Sequence, residues 1–125
     1  MDKELIFIGL GRMGAAMTAR LSEQGYTVHG FDVDEAARAE AKKNGVQVYD
    51  SMKQAIAAMS DQKIIWMMVP AKFVDDVLAE IMDELHADDI IIDGGNTFFE
   101  DTKRRAQDAA IKDVHYVDCG TSGGM

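Results

Sequence analysis

Leu5-Ile6-Phe7-Ile8-Gly9-Leu10-Gly11-Arg12-Met13-Gly14 is the stretch that decides how the chain is read. An apolar run stops abruptly at glycines, as a buried strand does, and Arg12 to Glu23 then carries Met13, Ala16, Met17 and Leu21 at helical spacing. The glycines themselves follow the pattern G-x-G-x-x-G. Between a strand and a helix that pattern has a mechanical meaning: Gly9 permits a tight turn, Gly11 lets backbone approach a pyrophosphate, and Gly14 lets the helix lie close to the strand. The start of the helix then offers free N–H groups and the positive end of its dipole to phosphate oxygens.

Outward from this turn, strand and helix patterns alternate to the end of the chain. Gly25 stands where a left-handed helix cap is expected, and residues 26–31 read as a second strand. Asp34 caps a helix through Lys43, Asn44-Gly45 ends it, residues 46–49 form a third strand, and Ser51 caps a helix through Met59. Residues 63–69 are apolar almost throughout, which suits a central strand covered on both faces, and Pro70 stops them. A helix over about residues 72–85 follows, then a strand at 90–92, a helix at 99–112 and a strand at 114–117. Strands separated by single helices predict an α/β fold of the Rossmann type: a doubly wound, mostly parallel six-stranded sheet in the order 3-2-1-4-5-6. Ligands of such sheets bind beyond the carboxyl ends of the strands, at the switch point between the first and fourth.

Composition narrows the partners. The 125 residues are expected to form one domain, 47% hydrophobic and 28% charged, with no apolar run of the ~18 residues a membrane helix needs. A formal net charge of −9 opposes binding to nucleic acid or anionic lipid. Cys119 is the only cysteine, so the chain holds neither an internal disulfide nor a multi-cysteine zinc site, and a cytoplasmic location is expected. His115 and Cys119, four apart on a strand, would stand about 13 Å from each other, so no metal is assigned.

Asp32 ends the second strand eighteen positions after Gly14, where a carboxylate accepts hydrogen bonds from the adenosine ribose hydroxyls. It would repel a 2′-phosphate, which favours NAD over NADP; Arg12 and Arg38 are the candidates for relieving that repulsion. Val69-Pro70-Ala71 and Asp93-Gly94-Gly95-Asn96-Thr97 follow the fourth and fifth strands on the same edge, and Asn96 offers a donor and an acceptor together. The charges of residues 101–113 read as a solvated helix face, although Lys103, Arg104 and Arg105 have the charge to attract a phosphate.

Taken together, Gly9 to Gly14, Met67-Met68-Val69-Pro70-Ala71, Ile91-Ile92-Asp93-Gly94-Gly95-Asn96 and Asp118-Cys119-Gly120-Thr121-Ser122-Gly123-Gly124 resemble successive motifs of 6-phosphogluconate dehydrogenase, decarboxylating. The resemblance covers essentially the whole chain. It leans to the bacterial NAD-preferring branch, because Phe31-Asp32-Val33-Asp34 stands where the NADP-using branch has an Asn-Arg-Thr turn. It implies oxidation of 6-phosphogluconate at C3 by hydride transfer to the nicotinamide, then loss of CO₂ to give ribulose 5-phosphate. By the same resemblance Leu10, Gly11, Arg12, Met13, Gly14, Asp32, Val69, Pro70 and Ala71 hold the cofactor. Asn96 lies between nicotinamide and sugar acid, and Ser122, Gly123 and Gly124 bind the substrate.

Thr97 and Lys72 depart from the family's usual Ser and Gly without removing a functional group. The family's helical second domain, with its lysine base and glutamate acid, would lie beyond residue 125. Lys72 at a helix start is a solvated ammonium rather than a substitute base. The chain alone is therefore expected to bind cofactor without turnover, and the parent protein to be a homo-oligomer. Exposure of the surface that the second domain covers predicts weak self-association of the isolated chain. Two alternatives stand beside this reading. One is a β-hydroxyacid dehydrogenase of the 3-hydroxyisobutyrate type, which shares the glycine-rich opening but typically has D-x-S-T where this chain has Asp93-Gly94-Gly95-Asn96. The other is a non-catalytic NAD-sensing module.

Overall fold

In the computed structural model, residues 3–95 and 99–119 are described, the side chains of residues 99 and 100 excepted. The elements run β1 (Glu4–Ile8), α1 (Arg12–Glu23), β2 (Thr27–Phe31), α2 (Glu35–Lys43), β3 (Gln47–Val48), α3 (Met52–Ala57), β4 (Ile64–Met67), α4 (Ala71–Ile81), β5 (Ile90–Asp93), α5 (Phe99–Ala110) and β6 (His115–Asp118). The six strands form one sheet in the order β3-β2-β1-β4-β5-β6, and every pairing is parallel. The expected order holds, and the sheet is wholly rather than mostly parallel.

Side-chain alternation in β1 shows how the layers form. Leu5 and Phe7 enter one apolar cluster with Val28, Ala41 and Val46, against which Met17 and Leu21 of α1 pack. Ile6 and Ile8 point the other way, into a larger cluster with Met52 and Ile56 of α3, Val74 and Ile81 of α4 and Ala109 of α5. β1 is therefore covered on both faces, as its unbroken apolar run requires. β4 is less symmetrical than expected: Ile65 and Met67 are fully buried, while Ile64 and Trp66 on the other face are only half-buried.

Several boundaries differ from the sequence reading. β3 is two residues long rather than four, and α4 ends at Ile81, with a short 3₁₀ turn at Met82–Glu84 where the helix was expected to continue. α1 meets the sheet through Gly14 and Thr18 together with the expected Met17 and Leu21, whereas Met13 and Ala16 face solvent. The Thr18 hydroxyl donates to the Gly14 carbonyl oxygen at 2.9 Å, so a buried polar group is satisfied inside the helix. Gly25 and Gly45 both take the left-handed conformation expected of helix-ending glycines, at φ +92° and +93°. Asp34 and Ser51 cap their helices as read, accepting from the Ala36 and Gln54 N–H groups at 3.0 and 3.1 Å. His29, for which the sequence offered no partner, is buried on β2 between Tyr49, 2.8 Å from Nδ1, and Glu4, 2.5 Å from Nε2.

Candidate functional site

The carboxyl edge of the sheet gathers the turn after β1, the end of β2 and the turn after β4. Gly9 adopts φ +102°, and a Cβ there would stand 2.4 Å from the Met68 carbonyl oxygen, so only glycine fits between β1 and β4. A Cβ at Gly14 would stand 2.1 Å from the Gly9 carbonyl oxygen, which is how closely α1 lies over the turn. Gly11 differs from both: a Cβ there would meet nothing within 4 Å. The middle glycine borders open space, while its two neighbours are fixed by packing.

Asp32 closes this turn from the side. Its Oδ2 accepts the Leu10 N–H at 2.6 Å and its Oδ1 accepts the Asp34 N–H at 2.8 Å. A carboxylate has about four acceptor sites, so roughly two remain for a ligand. Leu10 is held a second way, since its side chain is 2% exposed within the β1 and β2 cluster. Arg38, a candidate for compensating a 2′-phosphate, donates from Nη1 to the Asp32 backbone oxygen at 2.8 Å and lies over the Phe31 ring. α1 begins at Arg12 with Gly11 as its N-cap, with no side chain capping it and no acidic residue in its first turn. Its leading amides face the open space beside Gly11 with their dipole uncancelled.

A cleft of about 490 Å³ opens along this edge, bounded by Gly9, Gly11, Asp32 and Val33 on the β2 side and by Val69, Pro70, Phe73, Asp76, Val77 and Glu80 on the β4 side. Of the residues the sequence assigned to cofactor, Gly11, Asp32, Val69 and Pro70 line it. Leu10 and Gly14 are buried beneath it, and Arg12, Met13 and Ala71 lie exposed at helix starts. The sequence reading missed the α4 wall. Phe73, Asp76, Val77 and Glu80 repeat at i, i+3, i+4 and i+7 along a helix that was read only as a helix, and Val77 stands where this stripe meets the core face of Val74, Leu78 and Ile81. A larger hollow of about 790 Å³ lies at the opposite edge, against Asp61, His86, Asp88 and His115, remote from the glycine turn.

Beneath the turn after β5, Asp93 is fully buried and accepts from the Tyr116 hydroxyl at 2.7 Å and from the Gly95 N–H at 3.0 Å. Burial, with the Asp93 hydrogen bond next, pushes the Tyr116 hydroxyl far above its ordinary pKa, so it stays a donor. Arg105 is a correction to the sequence reading. Only 4% exposed, it donates from Nε to Asp75 Oδ1 at 2.9 Å, so it belongs to the interior and not to a solvated face or a phosphate site. Arg104 is tied to the same Asp75 carboxylate at 3.0 Å. These two hydrogen bonds, that from Arg105 first, hold Asp75 down to about 2. Asn96, Ser122, Gly123 and Gly124 lie outside the described residues. Among the described residues no three His, Cys, Asp or Glu side chains converge on a metal position, and no helix is long and apolar enough to cross a membrane.

The sequence family described as the NAD binding domain of 6-phosphogluconate dehydrogenase matches residues 4–125. An NAD⁺-dependent, decarboxylating 6-phosphogluconate dehydrogenase of Haloferax volcanii is 41% identical over 122 residues, covering 97% of this chain and 40% of that protein. The decarboxylating 6-phosphogluconate dehydrogenase of Homo sapiens is 33% identical over 127 residues, covering 97% of this chain and 26% of that protein. Among solved structures, 3-hydroxyisobutyrate dehydrogenase of Mycobacterium tuberculosis superimposes with a TM-score of 0.87 at 28% identity, covering 99% of this chain and 42% of that one. The chain thus spans less than half the length of these relatives. Family match, sheet order and glycine turn agree, and the chain belongs to the NAD-binding domain family of 6-phosphogluconate dehydrogenase.

Proposed function

We propose that the chain binds NAD in the cleft at the carboxyl edge and serves as the cofactor-binding part of a decarboxylating 6-phosphogluconate dehydrogenase. The observation that carries this reading is the charge of the cleft wall: Asp32, Asp76 and Glu80 line it, and among the described residues no lysine or arginine does. A ribose with free hydroxyls donates to the two open acceptor positions of Asp32, whereas a 2′-phosphate meets like charge. The pyrophosphate belongs beside Gly11, where the space a Cβ would fill is open and the first amides of α1 are uncapped.

When bound, the nicotinamide supplies a hydride acceptor. On this reading the substrate is 6-phosphogluconate, oxidised at C3 and then decarboxylated to ribulose 5-phosphate. Asn96 stands between sugar acid and nicotinamide, and Ser122, Gly123 and Gly124 bind the substrate. The parent protein works in the cytoplasm as a homo-oligomer. The likeness to the 3-hydroxyisobutyrate dehydrogenase fold supports a second reading, in which the substrate is a small β-hydroxyacid. The Asp93-Gly94-Gly95-Asn96 sequence favours the first.

Calorimetric titration of the purified chain with NAD and with NADP tests the cofactor assignment. NAD is expected to bind at least about tenfold more tightly, because a phosphate beside an unpaired carboxylate costs more than about 1.4 kcal/mol. Asp32→Ala should abolish the difference. Tighter binding of NADP would overturn the assignment and direct attention to Arg38. With NAD present, 6-phosphogluconate should raise the melting temperature and 3-hydroxyisobutyrate should not; the reverse result selects the second reading.

A further inference from the structure

We infer that Tyr116 is a positioning residue for the nicotinamide half of the dinucleotide, acting through the buried Asp93 carboxylate on the Gly94-Gly95 backbone after β5. The inference rests on the cleft being the NAD site. A dinucleotide with one ribose on Asp32 and its pyrophosphate at Gly11 must carry its other half away from β2, and the strand order β2-β1-β4-β5 places the ends of β4 and β5 on that side. Gly95 is packed against the cleft itself: a Cβ there would stand 3.1 Å from the carbonyl oxygen of Val69, a lining residue. Gly94 is held as closely. Its N–H donates to the Met67 carbonyl oxygen at 2.9 Å, and a Cβ would stand 2.5 Å from both Met68 Sδ and Trp66 Nε1. A shift of this backbone therefore moves the wall that the second half of the ligand meets.

What fixes the backbone lies inside the protein. Asp93 is fully buried, its Oδ1 accepting the Gly95 N–H at 3.0 Å and its Oδ2 the Tyr116 hydroxyl at 2.7 Å. Tyr116 pairs with Ile91, and Asp93 lies two residues further along β5, so ring and carboxylate share one face of the sheet. Arg105, whose charge bears on the Tyr116 hydroxyl, is itself tied to Asp75 at 2.9 Å. A line of polar contacts thus runs from α4 through α5 and β6 to the end of β5. Removing the hydroxyl takes a close donor from a fully buried carboxylate, which must turn or shift to recover one and carries Gly95 with it.

Calorimetry with NAD and with ADP-ribose, which lacks the nicotinamide, tests this on the purified chain, on Tyr116→Phe and on Val114→Ala. Phenylalanine keeps the ring and its packing, so the fold should survive. Val114, 3% exposed beside β6, serves as the comparison, because its truncation costs stability without touching the Asp93 carboxylate. Tyr116→Phe should weaken NAD about fivefold to tenfold and ADP-ribose by less than about twofold, whereas Val114→Ala should change neither by more than about twofold. Equal losses for the two ligands in Tyr116→Phe, or no loss, would overturn the inference, as would a Val114→Ala chain that reproduces the loss confined to NAD. If the unmodified chain melts cooperatively yet binds neither ligand, the NAD reading fails first and the role of Tyr116 falls with it.

Discussion

A methyl group at Gly14 would be driven against the Gly9 carbonyl oxygen, while one at Gly11 would project into empty cleft. The two glycines of one motif therefore answer to different pressures, and substitution separates them. Gly14→Ala is expected to cost about 3 kcal/mol of folding free energy, through a backbone clash that no rotamer relieves. Gly11→Ala should stay within about 1 kcal/mol of the parent, since its φ of −68° suits any residue, yet weaken NAD binding at least about tenfold. Denaturant melts paired with titrations check both; equal loss of stability at the two positions would refute the division. Both roles were legible in the glycine spacing. The grip of Asp32 on the Leu10 amide was not, because it joins residues 22 positions apart and appears only once β1 and β2 are side by side.

At the scale of elements, Asp75 staples α4 to α5. Its pKa is lowered from 3.8 to about 2 in the folded chain, chiefly by the hydrogen bond from Arg105. A depressed carboxyl adds stability above its unfolded pKa and loses it as pH falls through the folded value. The staple should therefore weaken between about pH 4 and pH 2; with its side chain 52% exposed, solvent screening limits the loss to about 1 kcal/mol. Melts of Asp75→Asn across that window should show a flatter acid limb. At neutral pH Asp75→Ala should cost more than Arg105→Met, about 2–3 kcal/mol against about 1, because the first strands a buried guanidinium and the second replaces it with apolar volume. The opposite ranking in urea melts would show that Arg105 finds another partner. This pair escaped the sequence reading because helical periodicity marks which residues share a face, and says nothing of a carboxylate 30 residues away. For α4 the sequence yielded a helix and no face, and the cleft stripe mixes Phe73 and Val77 with two acids.

Across the whole molecule, the alternation of strands and helices was enough to give the sheet order, because parallel crossovers leave few topologies. Lengths were harder: β3 pairs with β2 at only His29–Gln47 and Gly30–Val48, too short for composition to bound. At the other margin, among the described residues β6 pairs only with β5, and Val117 and Ile111 nearby are 47% and 83% exposed. An edge of this kind invites pairing. The isolated chain is expected to associate at concentrations of about 100 µM, and Val117→Lys to return it toward a monomer in sedimentation. A monomer at all concentrations would set that aside.

The central place of β1 carries a further consequence, for the time course of synthesis. Ile6 lies beside His29 on one flank and beside Ile65 on the other, so the first strand made is among the last to be enclosed. A nascent chain can assemble β1, β2 and β3 early, but the other flank of β1 stays open until β4 leaves the ribosome. Through that interval the apolar residues Leu5 to Ile8 of β1 are exposed to other chains, and holdase chaperones should engage them most strongly before residue 67 emerges.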